Sequence, residues 1–153
     1  MLASAENCSC PISASVERRK SHYSEVFKRI EALLQGENDF VAAMATVACE
    51  LHQSFEYFDW TGFYRSVAGS QTLLIGPYQG GHGCLRIPPG KGVCGAAASS
   101  KQTQLVPNVH EFPGHIACAS TTNSEVAVPV IDEVGELLAV LDIDSDSPAA
   151  FGP

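Results

Sequence analysis

No apolar run in the 153-residue sequence approaches the ~20 residues that would span a bilayer as a helix. Basic residues are also scarce, nine Lys and Arg against seventeen Asp and Glu, for a formal net charge of −8. Such a chain repels phosphate backbones and anionic lipid surfaces, so no nucleic acid and no membrane is expected as partner. The opening MLASAENCSCPISASVERRK lacks a basic segment followed by an apolar one, so no secretory signal is read and a cytoplasmic location is expected. His82, His110 and His115 lie near cysteines, yet no C-x-x-C or H-x₃-H spacing occurs, and neither metal nor cofactor is expected. A structural zinc domain would bind metal stoichiometrically and unfold under a chelator. Internal repeats and low-complexity segments are absent too.

What is present fits one globular domain. Apolar residues make up 45% and charged ones 17%, far from a disordered composition. The acidity is concentrated after residue 40: residues 41–153 hold eleven Asp and Glu against four Lys and Arg. Residues 1–20 are polar without period and read as a flexible tail, leaving 21–153 as the domain. Tyr23, Val26, Phe27, Ile30, Leu33 and Leu34 recur at threes and fours. They predict a helix from Ser21, its N-cap, to Gln35, with Gly36 as its stop. A second helix is expected from Asp39 to His52, with Phe40, Ala43, Met44, Val47 and Leu51 as its apolar stripe.

After Ser54 the period changes to two. Strands are expected at 60–64, 72–75, 103–106, 125–131 and 137–143, with a short helix of small residues at 93–100. Gly76–Gly95 is too rich in glycine and proline to be regular throughout, and Pro107–Thr122 reads as a loop. Asp132–Gly135 is a hairpin turn between the last two strands. Helices first and then an antiparallel sheet make an α+β sandwich.

Six cysteines in a chain expected to be intracellular favour catalysis or metal over structural disulfides. Cys84, Cys94 and Cys118 fall in glycine-rich loops where thiols can approach one another. Cys94 lies where a helix begins, and an imidazolium of His115 would stand near Cys118; either effect lowers a thiol pKa. The bland alternative is that all three are small buried apolar residues. Cys8 and Cys10 read as idle, and Cys49 as part of a helix core. In LLAVLDID, Asp142 and Asp144 are two apart and share a strand face, which Glu125 on the neighbouring strand could join. Carboxylates gathered on an apolar strand raise each other's pKa, unless the strand end is merely solvated. Trp60 and Tyr64 likewise share one face, as core packing or as the wall of a ligand pocket.

The segments WTGFY (60–64), IGPYQG (75–80), CLRIPPGKGVCG (84–95), FPGHIACAS (112–120), NSEVAVPV (123–130) and GELLAVLDIDSD (135–146) together resemble the free methionine-(R)-sulfoxide reductases, which are stand-alone GAF domains. The resemblance implies an antiparallel sheet packed against N-terminal helices. It also implies a C-terminal helix after the DID strand, which is expected to be truncated here because the given sequence ends at Pro153. It further implies Cys118 as attacking thiol, Cys84 as the resolving thiol that forms a disulfide with it, and Cys94 as a third thiol entering the exchange. Glu125, Asp142 and Asp144 would supply a proton and hold the substrate's ammonium, while Trp60 and Tyr64 flank its methyl-thio end. Thioredoxin would recycle the disulfide, and a homodimer is expected. The competing reading is a non-enzymatic GAF domain that senses a small ligand or an oxidant.

Overall fold

The computed structural model describes residues 9–152, and two helices open it. Helix α1 runs Val16–Leu33 and is capped by Ser15, whose side chain accepts the Arg18 N–H at 3.2 Å. Ser21, the expected cap, lies inside the helix with its hydroxyl against Glu25. The expected tail is therefore partly helix. Its Cys10 is also buried, pairing in a parallel bridge with Phe55: the Cys10 N–H donates to the Ser54 carbonyl at 2.9 Å and its own carbonyl accepts from Glu56 N–H at 3.1 Å. This pairing is non-local, so no periodicity near Cys10 announces it. Cys8 lies outside the described residues, as do the rest of 1–8 and Pro153.

Helix α2 runs Phe40–Ser54 and is capped by Asp39, which accepts the Ala42 N–H at 2.8 Å. Arg29 ties α1 to α2 through Glu50 at 2.6 Å and the Ser54 hydroxyl at 2.7 Å. Only Val26 of the α1 stripe is fully buried, while Phe27 and Leu33 remain 62% and 53% exposed. Cys49 is only half-buried and accepts from Gln53 Nε2.

Six strands follow: β1 Trp60–Val67, β2 Ser70–Gln79, β3 Arg86–Ile87, β4 Gln104–Val106, β5 Ser124–Ile131 and β6 Leu137–Ser145. Helix α3, Gly92–Ser100, sits between β3 and β4 in the chain. The spatial order is β3-β2-β1-β6-β5-β4, with every neighbouring pair antiparallel. Strand β2 runs on to Gln79, so the glycine-rich stretch is regular for its first four residues.

Alternation along the strands divides the two faces of the sheet. Phe63 and Ala139 pack with Met44 and Ala48 of α2, whereas Trp60, Tyr64, Val140 and Ala127 pack with Val93, Cys94 and Ala97 of α3. Among the described residues no helix follows β6. Instead the chain is tethered by Ser124, whose hydroxyl donates to the Ser147 carbonyl at 2.6 Å and accepts the Ala150 N–H at 3.2 Å. Ala150 and Phe151 are thereby buried among Phe55, Tyr57 and Phe58, beside α1.

Ser124 is wholly buried, so Ser124→Ala leaves a carbonyl and an N–H without their partner. A loss of about 1–3 kcal/mol in urea unfolding is expected. An unchanged midpoint would show that this tether does not matter.

Candidate active site

The register of β5, β6 and β1 assembles the acidic cluster. Glu125 pairs with Asp144 and Ala127 with Asp142, so two carboxyls stand side by side and the third lies one row along on the same face. On the other side of β6, Trp60 pairs with Asp144 and Gly62 with Asp142. Glu125 and Asp142 are 6% and 5% exposed, which removes the reading of a solvated strand end. Asp144 is half-buried.

Gly62 makes room for the aromatic wall. A Cβ there would lie 2.3 Å from Cβ of Tyr78 and 2.6 Å from the Trp60 ring. Trp60 instead lies across the strands, stacked on Tyr64 at 5.8 Å and on Tyr78 at 5.3 Å between centroids, with its indole N–H donating to the Gly81 carbonyl at 3.1 Å. Helix α3 brings Cys94 over the carboxyls, its sulfur 3.9 Å from Oε1 of Glu125. The loop before β5 brings His115, whose Nε2 is 3.9 Å from Oε2 of Glu125. Cys118 follows three residues later and is joined in a disulfide to Cys84, with 5.3 Å between their Cα atoms. Cys118 is exposed and Cys84 half-buried, so the bond lies at the rim of the pocket rather than in its depth.

Burial dominates the electrostatics here, because a low-dielectric cavity disfavours each charged form. Burial, reinforced by the Asp144 charge, pushes Glu125 up to about 8. Asp142 rises well above the usual range by burial and then by the charge of Glu125. Asp144 follows through burial and the charges of Asp142, Asp146 and Asp59. All three carboxyls are thereby shifted toward their protonated forms. Asp142 Oδ1 is buried and without a hydrogen-bond partner among the described residues.

Two expectations about thiol activation are corrected. Cys94 does stand in the first turn of α3, but burial and then three neighbouring carboxyls drive its pKa up rather than down. His115 is pushed down, first by burial and then by His110, so it is neutral rather than an imidazolium beside Cys118.

Comparison with known proteins agrees with this geometry. The model of the GAF domain matches residues 39–153. GAF domain-containing protein A of Dictyostelium discoideum is 41% identical over 133 residues, covering 87% of this chain and 82% of its own. The free methionine-R-sulfoxide reductase of Escherichia coli is 40% identical over 123 residues, covering 80% of this chain and 73% of its own. The chain belongs to the GAF-domain family of free methionine-(R)-sulfoxide reductases. A crystal structure of that reductase from Neisseria meningitidis, in complex with its substrate, superposes with a TM-score of 0.84 at 41% identity, over 92% of this chain and 81% of the other.

Within this reductase-family fold one pocket is lined by Trp60, Tyr64, Cys94, Cys118, Glu125, Asp142 and Asp144, and Cys84 is joined to its rim through Cys118. Tyr78 and the Glu125 contact of His115 are what sequence reasoning missed. Tyr78 enters only through its register opposite Gly62, and a glycine between two aromatics was the available hint.

All three carboxyls bind protons more tightly folded than unfolded. Their stabilising effect is complete below the ordinary carboxyl range and is lost as pH rises through the folded value, about 8 for Glu125. Urea unfolding between about pH 7 and pH 9 is expected to show falling stability, with a shallower slope in Glu125→Gln. An identical slope in that variant would assign the dependence to other groups.

Proposed function

We propose that the protein reduces free L-methionine-(R)-sulfoxide to methionine, using Cys118 as nucleophile and Cys84 as resolving thiol. The observation that carries this reading is an accessible Cys84–Cys118 disulfide set beside a carboxyl trio whose pKa values are raised by burial and mutual charge. The thiolate of reduced Cys118 attacks the sulfoxide sulfur while a carboxyl of the trio donates its proton to the sulfoxide oxygen. That oxygen then passes to the Cys118 sulfur as methionine departs, leaving a sulfenic acid. Sulfur in the substrate is reduced by two electrons and Cys118 is oxidised by two.

The Cys84 thiolate next attacks the sulfenic sulfur and expels hydroxide, which takes a proton and leaves as water. Thioredoxin, the proposed reductant, returns two electrons and two protons to the disulfide, and the exposed Leu85 beside Cys84 offers it an apolar contact. Cys94, with its raised pKa, is the slowest of the three to join the exchange.

A zwitterionic substrate also fits the charges. Its ammonium would be held by whichever carboxyl of the trio ionises, its carboxylate would lie toward Lys91 at the start of α3, and Trp60 and Tyr64 would flank the methyl-thio end. Peptide bonds on both sides of the residue would remove both charges, so peptide sulfoxide is excluded.

Among the described residues no helix is long and apolar enough to cross a membrane. The cytoplasm, whose thiol systems keep such a couple reduced, is the proposed location. The exposed Tyr23 and Phe27 face of α1 is the proposed contact of a homodimer.

An NADPH-coupled thioredoxin assay tests the reading with free (R)-, free (S)- and peptide-bound sulfoxide. Turnover is expected only for the free (R) form and should vanish in Cys118→Ser. Cys84→Ser should release about one methionine per chain and then stall. Undiminished turnover in Cys118→Ser would overturn the assignment, and tight binding without turnover would favour the sensor.

A further inference from the structure

Cys94 takes no part in the disulfide, and the catalytic cycle gives its thiol no early step. It is nonetheless held in a specific place. Cys94 from α3, Glu125 from β5 and Asp142 from β6 bring one sulfur and two carboxyl oxygens within 4.8 Å of one another, all three buried. Each ligand atom comes from a regular element rather than a loop, so the cluster is fixed by the packing of α3 on the sheet. The second oxygen of Glu125 faces His115 at 3.9 Å. The independent sign of a missing occupant is Asp142, 5% exposed, whose Oδ1 has no partner among the described residues.

We propose that Cys94, Glu125 and Asp142 form a binding site for a thiophilic divalent cation of the zinc class. A tetrahedral zinc ion with ligands at ~2.0–2.3 Å sets neighbouring ligand atoms roughly 3.5 Å apart, so the triad needs to close by about an ångström, within reach of side-chain rotation. The sulfur selects against magnesium and calcium, which take oxygen ligands. His115 stands where a neighbouring group would orient the Glu125 carboxylate, as metal-bound carboxylates commonly require. Binding exchanges the protons of these groups for one doubly charged ion, which satisfies the orphan oxygen at the same time.

The ion would sit beside the core that α3, β5 and β6 share. It would occupy carboxyls assigned above to the substrate's ammonium, so metal and amino acid exclude each other. That exclusion rests on the reductase reading; metal binding does not.

The test is a Co²⁺ titration of the oxidised protein, with Cys84 and Cys118 locked in their disulfide. One equivalent should bind with a near-ultraviolet sulfur-to-cobalt charge-transfer band, which Zn²⁺ bleaches and free methionine displaces. Cys94→Ser should abolish the band, Asp142→Asn should weaken binding about tenfold or more, and Cys49→Ser should change neither. Circular dichroism of each variant shows that it folds, and Glu125→Gln serves in place of any that does not. No band in the native protein, or a band surviving in Cys94→Ser, overturns the site. A band that methionine cannot displace overturns the exclusion. The titration needs no turnover, so a protein that binds cobalt but reduces no sulfoxide refutes the reductase reading alone.

Discussion

Glu125, Asp142 and Asp144 are carried onto one face of the pocket by the pairing of β5 with β6, and crowding three carboxyls there, two buried and one half-buried, is the constraint on which the site depends. Ionising them there costs more than in water, so burial and mutual repulsion raise their pKa values. A pocket that stores protons near neutral pH suits a reaction whose departing oxygen must be protonated. The same arrangement destabilises the fold as pH rises. Site and stability are thus opposed at these three residues, and the surrounding core has to offset the difference.

The aromatic wall and the thiols are arranged around that cavity by different means. Gly62 is required because the Trp60 ring and Tyr78 occupy the space of its side chain, so the wall is set by sheet packing. The Cys84–Cys118 bond instead links two loops, one after β2 and one before β5, which lie far apart in sequence. A redox couple on loops can open and close while the carboxyls stay fixed on strands. Cys94 belongs with the strands and helices in this respect. Its buried, high-pKa thiol behaves as a partner of the carboxyls more than as a partner of the disulfide.

Much of this was legible in the sequence, for reasons that differ by element. Period two in LLAVLDID put Asp142 and Asp144 on one face whatever their partner strand, and period 3.6 announced both helices. The short polar cap Asp39 and the turn Asp132–Gly135 are local chemistry and were readable as such. The Cys84–Cys118 pairing came from family resemblance rather than spacing, and the structure contains it. The N-cap of α1 lies six residues before the expected one, at Ser15 in place of Ser21, since the two serines are equally good caps and local sequence does not choose between them. Half of the α1 stripe proved exposed, because periodicity identifies a helix face without saying whether anything covers it.

By itself the sequence determined the elements, the shared face of the strand carboxyls and the family to which the chain belongs, since each rests on residues near one another or on motifs in order. Tertiary structure alone decided the sign of the electrostatics. Whether Cys94 is activated by a helix end or silenced by burial, and whether His115 is charged, depends on how much water reaches them. Water access is set by the packing of α3 and the 107–123 loop against the sheet, which involves residues distant in the chain. The meeting of Cys94, Glu125 and Asp142 follows the same logic: they come from α3, β5 and β6 and approach one another only after folding, so no local motif records them.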